Sequence, residues 1–362
     1  MSEDANPIYA DVGQFPLDWL ASLFGQAPGA LRGYATKPVG TGQMCDSFRL
    51  TLDWAEGVAG LAGAEGGDTL PATIIAKCPS HDPASRDVAQ RLGGYLLEVN
   101  WYRTLARDVA VATPACYYAA IADNDVDFTL LLADLAPARQ GDQLAGASLP
   151  ALSVAIEQAA ALHAPLWNSP RLDTMDWLQR DTKPIIRALF PGMFDAFRER
   201  YTGRLDEECL TLGAGIVDKL DAYLGRVPHA RTITHGDMRV DNILFAPDNA
   251  ACWLVDWQTV AIGSGASDLA YLVGTSLADP AARAAIDRSS FDQWIAALTA
   301  RGVAPDATAL WDDYRVGALS GYFMAVFASM SVERTERGDE MFALMAERPA
   351  RQAIALASLD VL

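Results

Sequence analysis

The residues best suited to chemistry lie in one short stretch. His235-Gly236-Asp237-Met238-Arg239-Val240-Asp241-Asn242 runs into apolar Ile243-Leu244-Phe245, a turn at Pro247-Asp248-Asn249, and then Trp253-Leu254-Val255-Asp256-Trp257. An Asp, an Asn five residues later and a second Asp at the end of a short strand suit phosphoryl transfer. The first carboxylate, Asp237, can accept the proton of an attacking hydroxyl, while Asn242 and Asp256 can hold Mg²⁺ between nucleotide phosphates. Mg²⁺ takes hard oxygen ligands and commonly only one or two carboxylates besides phosphate oxygens. A hairpin between Asn242 and Asp256 brings both ligands to one end of its turn.

The rest of the chain must position this island. Tyr34–Pro38, Ser47–Trp54 and Thr69–Lys77 read as strands, separated by Gly40-Thr41-Gly42 and by a glycine-rich gap at Gly57 through Gly67. A helix is expected from Ser85 to Arg107, with Leu92, Leu96, Val99 and Leu105 near helical spacing. Cys116–Ala122 and Asp127–Ala133 read as two further strands across an Asn-Asp turn. Beyond Pro137 the pattern turns helical. One helix ends near His163, and others are expected at Lys183–Arg200, Glu207–Leu224, Ser267–Leu277, Phe291–Ala300, Trp311–Glu333 and Glu340–Leu359. The boundary falls near Pro137, with a lobe at 1–137 for the nucleotide and one at 138–362 for catalysis and substrate.

The motif island resembles the catalytic core of the aminoglycoside phosphotransferase and choline kinase group, which has a protein-kinase-like fold. His-Gly-Asp followed by Asn, a hydrophobic strand and a metal-binding Asp carries the resemblance. Trp257-Gln258 and Ser267-Asp268-Leu269-Ala270 are similar to one branch in particular, the ecdysteroid-kinase-like small-molecule kinases. The similarity runs from about residue 35 to 330. It implies an α+β, two-lobed fold, with a small β-rich N-lobe carrying one main helix and a larger, mostly helical C-lobe. It also implies ATP and Mg²⁺ as cofactors and a small-molecule alcohol as acceptor.

The same resemblance assigns roles in the first lobe. Lys77 closes the apolar strand Thr73-Ile74-Ile75-Ala76-Lys77, and Glu98 follows inside the expected helix. A strand Lys paired with a Glu on the next helix is how this fold orients the α- and β-phosphates. Gly40, Thr41 and Gly42, with Ser47, lie where small residues let backbone N–H groups approach phosphates. Cys45 stands where protein kinases have a third Gly. Leu130 to Leu135 looks like the segment whose backbone meets the adenine edge. His235 is expected to brace the catalytic loop. Asp268 most simply caps the helix near Leu269, and in relatives the matching Asp braces the loop. His163 reads as a satisfied helix-end histidine and Asp241 as a variable loop position. Arg239 is open between a phosphate or substrate contact and a surface salt link. The aromatics after residue 250, Tyr271 among them, read mostly as core.

Composition narrows the classes. The 362 residues carry 28 Lys and Arg against 46 Asp and Glu, a formal net charge of −18. That excess argues against a general nucleic-acid binder and a polybasic membrane anchor. Cys45, Cys78, Cys116, Cys209 and Cys252 are scattered without a CxxC pair, so neither a zinc site nor a disulfide framework is expected. The acidic start and the Gly- and Ser-containing stretch Val316–Val332 suggest a cytoplasmic protein with no membrane span. The sequence leaves the oligomeric state open. It points to an ATP-dependent kinase of small-molecule alcohols, with a hydrophobic or a cationic acceptor. A nucleotide-binding pseudokinase is the alternative from another class. A protein kinase fits less well, because Gly236 stands where protein kinases place Arg and no Ala-Pro-Glu segment follows Asp256.

Overall fold

The computed structural model describes residues 6–40, 44–58, 69–331 and 334–362. Thr41, Gly42 and most of the glycine-rich gap, at 59–68, lie outside the described residues, as do the last two positions of the helix expected at Trp311–Glu333. The chain divides into two compact units. One comprises residues 1–107 and 113–136, the other residues 108–112 and 137–362.

The first unit opens on α1 (Leu17–Leu23), followed by β1 (Leu31–Pro38), β2 (Cys45–Trp54) and β3 (Thr73–Pro79). After two helices come β4 (Cys116–Ile121) and β5 (Phe128–Ala133). They form a five-stranded antiparallel sheet in the order β1-β2-β3-β5-β4. Side chains alternate across a strand, so each strand divides between two faces. Leu50, Leu52, Ile74, Ala76, Cys78 and Leu131 pack with Val12, Phe15 and Leu20 of the N-terminal segment into one apolar core. The intervening Ser47, Arg49, Ile75, Lys77, Leu130 and Leu132 share the opposite face. The β4–β5 turn is closed by Asn124, whose Oδ1 accepts from the Val126 and Asp127 amides.

The helix expected as one piece from Ser85 to Arg107 is broken. α2 (Pro83–Leu92) starts on Asp82, whose carboxylate accepts the Ala84 and Ser85 amides, and stops at Gly93. There φ is 66°, a left-handed value that ends the helix with the Gly93 amide bonded back to Gln90. α3 (Gly94–Asn100) then restarts on a new axis and runs into a π-helical turn at Trp101–Leu105. Apolar spacing carried across Gly93, but the backbone conformation that glycine permits did not.

The second unit holds β6 (Arg139–Gln140), α4 (Leu149–His163), α5 (Lys183–Tyr201), α6 (Glu207–Asp218), α7 (Leu220–Gly225), β7 (Thr232–Thr234), β8 (Ile243–Phe245), β9 (Cys252–Leu254), β10 (Ala261–Gly263), α8 (Gly265–Ser276), α9 (Pro280–Ala300), α10 (Ala307–Ser331) and α11 (Glu336–Ala355). The helix expected at Glu207–Leu224 is two, broken at Lys219, and α9 begins well before the expected Phe291, on an Asp279 cap. Phe190, Phe194 and Phe197 of α5, Ile216 of α6, and Leu319 and Tyr322 of α10 build a large core with α11. Burying each such side chain contributes about 2 kcal/mol. This frame supports two small sheets, β6-β8-β9 and β7-β10, which carry the motif island. No helix among the described residues is long and apolar enough to cross a membrane.

Alanine at Gly93 must adopt the left-handed conformation, which costs an L residue about 1–2 kcal/mol. Gly93→Ala is therefore expected to lower the urea midpoint with an unchanged slope. An unaltered midpoint would show that the α2–α3 break does not need glycine.

Candidate active site

β7 delivers the chain into the loop His235–Asn242, and one carboxylate from α8 holds that loop. Asp268 accepts the backbone N–H of His235 at 2.5 Å and of Gly236 at 3.0 Å. It does not cap α8, whose N-terminus begins at Ser264; the capping expectation gives way to the bracing one. Gly236 has φ 81°, and a Cβ there would lie 2.3 Å from the Thr259 carbonyl oxygen. The hydroxyl of the same Thr259 donates to His235 O at 2.8 Å. The loop is thus pinned from both sides, and glycine is the residue that fits.

The two histidines brace this loop. His235 Nδ1 accepts the Asp237 amide at 3.3 Å, so its Nε2 carries the proton and donates to Val255 O at 3.0 Å. Its ring packs on Trp257. His163, fully buried at the end of α4, accepts from Trp294 Nε1 at 3.1 Å and donates from Nε2 to Asp268 at 3.3 Å. α4 and the loop therefore meet α8 at one buried carboxylate, and α9 holds the histidine that reaches it.

Asp237 emerges from the braced loop with both carboxylate oxygens engaged. Tyr271 on α8 donates its hydroxyl to Oδ1 at 2.6 Å. Oδ2 accepts from Asn242 Nδ2 at 2.8 Å and from Arg239 Nε at 3.2 Å. Burial alone would raise the Asp237 pKa. The Arg239 charge, the Tyr271 hydroxyl, His235 and Asn242 outweigh it and hold the carboxyl below its usual value. Arg239 also bonds Asp241 at 2.5 Å, and Asp241 accepts the Gln143 amide at 2.8 Å. Of the two readings open for Arg239, the salt link is observed, though largely buried rather than at the surface.

Asn242 and Asp256 sit at the open end of one hairpin. β8 and β9 pair Ile243 with Leu254 and Phe245 with Cys252, and the ladder continues through Val255 N–H to Asn242 O at 3.0 Å. Asp256 follows with φ 68°, a turn that a β-continuing strand would not make. The Asn242 amide nitrogen is spent on Asp237, on its backbone and side-chain oxygens, so its carbonyl oxygen is the atom left to a cation. Among the described residues no cluster of three or more His, Cys, Asp or Glu side chains could hold a metal. An Asn oxygen with one carboxylate is instead the sparse, hard donor set that Mg²⁺ completes with phosphate oxygens.

In the first unit Lys77 Nζ bonds Glu98 Oε1 at 2.6 Å, joining β3 to α3, and both are buried. Ser47 lies directly opposite Lys77 in the β2–β3 register. Gly40 has φ 79° just beyond β1, where Val39 N–H bonds Ser47 O at 2.9 Å. Thr41 and Gly42 fall outside the described residues. Tyr95 of α3 donates to Met44 O at 2.5 Å and accepts the Ser80 amide. Burial pushes the thiols of Cys78, Cys116 and Cys252 up to about 12, consistent with no nucleophilic use.

Sequence reading missed the role of Tyr271, which looked like one aromatic among many. The signal was its spacing: Asp268 and Tyr271 are three apart and so share a helix face. Comparison with known proteins bears on the same residues. A family model described as ecdysteroid kinase-like matches residues 61–295, well over half the chain. The chain belongs to the ecdysteroid kinase-like family. No curated protein sequence matches this family member. Solved structures do. The GDP complex of aminoglycoside 2'-phosphotransferase-IIIa aligns with TM-score 0.54 at 15% identity, covering 93% of this chain and 99% of that one. Choline kinase from Cryptosporidium parvum Iowa II aligns with TM-score 0.53 at 12% identity, covering 91% of each. Plasmodium vivax ethanolamine kinase aligns with TM-score 0.50 at 9% identity, covering 91% and 83%. At such identities the likeness shows the fold: this ecdysteroid kinase-like chain has the α+β, protein-kinase-like architecture of small-molecule kinases.

Replacing Asp268 with Ala leaves the His235 and Gly236 amides without their acceptor. Losing hydrogen bonds to a buried charge costs about 3 kcal/mol. Chemical unfolding of Asp268→Ala should show a loss of that order. A loss below about 0.5 kcal/mol would remove Asp268 from its role as the brace.

Proposed function

We propose that this protein is an ATP-dependent phosphotransferase that moves the γ-phosphoryl group to a hydroxyl of a small molecule. The observation that carries the reading is the Asp237–Asn242–Asp256 arrangement. A carboxylate fixed at both oxygens stands beside an Asn that reaches it with its nitrogen, and a second carboxylate lies one ladder step away. Asp237 orients the acceptor hydroxyl and takes its proton late. A carboxylate held below its usual pKa is a weak base, and a loose transition state asks for positioning more than for deprotonation. Asn242 and Asp256 would hold Mg²⁺, which supplies charge neutralisation between the phosphates. Lys77, held by Glu98, orients the α- and β-phosphates, and Gly40 and Ser47, with Thr41 and Gly42 outside the described residues, are the remaining candidates for contact with them.

The acceptor we take to be a hydrophobic alcohol. In the same unit as Asp237, Phe190 and Phe323 stack at 4.2 Å, and the half-buried Phe323 lies 6.1 Å from Phe327. Phe323 and Phe327, each only partly buried over the Phe190 ring of the core, offer apolar surface on α10, and the family name points the same way.

An ADP-release screen with MgATP tests the reading. Its acceptors are a sterol alcohol, choline, an aminoglycoside and a hexose, with Asp237→Asn as blank. Turnover of the sterol alcohol is expected, and Asp256→Ala should abolish it. Mg²⁺-dependent transfer that survived in Asp256→Ala would refute the metal assignment. Choline as the sole acceptor would refute the hydrophobic one.

Tyr271→Phe removes one of the donors that fix Asp237. A hydrogen bond to a charged group is worth about 1.5 kcal/mol or more, so kcat should fall about tenfold or further with the KM for MgATP unchanged. An unchanged kcat would exclude Tyr271 from positioning the carboxylate.

A further inference from the structure

The face of the first sheet that carries Lys77 is organised in rows, largely buried on β3 and β5 and more exposed at Arg49 of β2. Strand register sets Ser47, Lys77 and Leu130 side by side. The next row along the strands holds Lys37, Arg49, Ile75 and Leu132. Rows are two residues apart, about 7 Å. On the kinase reading above, Lys77 meets the phosphates and the Gly40 turn covers them from one end. The rest of the nucleotide must then extend along the strands the other way, over the row of Arg49.

That row is apolar and largely covered on its inner strands, and it carries one exposed polar group of defined orientation. Ile75 is half-buried and Leu132 buried. Arg49 stands on β2, yet its guanidinium reaches past β3 to Asp134, the residue after β5. Nε donates to Oδ2 at 2.6 Å and Nη2 to Oδ1 at 3.0 Å. Asp134 is itself anchored, its Oδ1 accepting the Ala136 amide at 3.1 Å. The fork-to-fork pair fixes the guanidinium plane across the middle of the sheet. The Arg49 side chain remains 38% exposed while that of Asp134 is 4% exposed. The buried partner serves as the anchor, and the exposed flat cation is what the sheet presents. In a chain of net charge −18, a cation presented this way on the Lys77 face suits an electron-rich ring.

We propose that Arg49, clamped by Asp134, is the nucleobase-binding residue of this protein, its guanidinium plane stacking on the purine of the nucleotide whose phosphates Lys77 orients. The inference rests on the kinase reading and adds the recognition of the base to it. A guanidinium stacks on aromatic faces, and a lysine ammonium lacks the plane to do so.

The test is calorimetric binding of MgATP and of magnesium tripolyphosphate, which has no base, to wild type, Arg49→Met, Arg49→Lys and Lys77→Met. Arg49→Met should weaken MgATP about tenfold and leave tripolyphosphate within about twofold of wild type. Arg49→Lys should behave like Arg49→Met, and Lys77→Met should weaken both ligands. Equal loss of both ligands in Arg49→Met would overturn the proposal, as would full recovery of MgATP binding in Arg49→Lys. Either result would make Arg49 a charge or a sheet clip. Melting temperatures of the free variants run alongside. A clip alone would lower them without moving the ratio of the two affinities. A wild type that bound no MgATP would bring down the kinase reading itself. Wild-type binding lost in Lys77→Met but untouched in Arg49→Met would overturn this inference alone.

Discussion

The Asp268 carboxylate is the interaction on which the second unit depends. A buried carboxylate is tolerated only where donors replace its water. Here they are two consecutive loop amides and a histidine, which come from the loop after β7 and the end of α4. Trp294 of α9 holds the histidine in turn. Removing any of these donors would leave charge uncompensated, so the elements are committed to one mutual arrangement. That arrangement sets the direction of the next residue, Asp237. One helical turn further along α8, Tyr271 reaches the Asp237 side chain itself. A single helix face therefore fixes first the backbone of the loop and then its functional group.

The first unit solves a different problem with the same means. Lys77 sits almost out of solvent, and the Glu98 carboxylate bonds its Nζ at 2.6 Å. The pair fixes the position of the Lys77 ammonium more than it stabilises the fold, since buried pairs gain little over apolar packing. Its geometry depends on α3, and α3 takes its axis from the break at Gly93. A helix continuous from Ser85 would have carried Glu98 on another course.

The net charge of −18 acquires a local meaning from the fold. Acids outnumber bases in the chain, but the Lys77 face of the sheet gathers cations, with Lys37 and Arg49 in one row and Lys77 in the next. Two of these cations are oriented by buried carboxylates, Arg49 by Asp134 and Lys77 by Glu98. A protein can thus be acidic overall and still keep a face suited to an anionic ligand, because fields at short range follow placement rather than totals.

The sequence by itself determined what short-range geometry controls. Strand alternation, the Asn124 turn and the β8–β9 hairpin are local, so the juxtaposition of Asn242 and Asp256 was legible from their spacing. The Lys77–Glu98 pair was legible only through the resemblance, since a strand lysine and a helix glutamate are unremarkable alone. Family membership was legible too, because the motif residues are contiguous. The tertiary structure decided the rest. Asp268 reads by position as a helix cap, with bracing implied only by the resemblance, and is a brace in three dimensions, while Tyr271 passes for core until α8 is laid against the loop. Arg49 and Asp134, 85 residues apart, meet only because strand order puts β3 between β2 and β5. The physical reason is common to all three. A side chain's role is set by which groups replace its water, and for distant partners that choice belongs to packing rather than to neighbours along the chain.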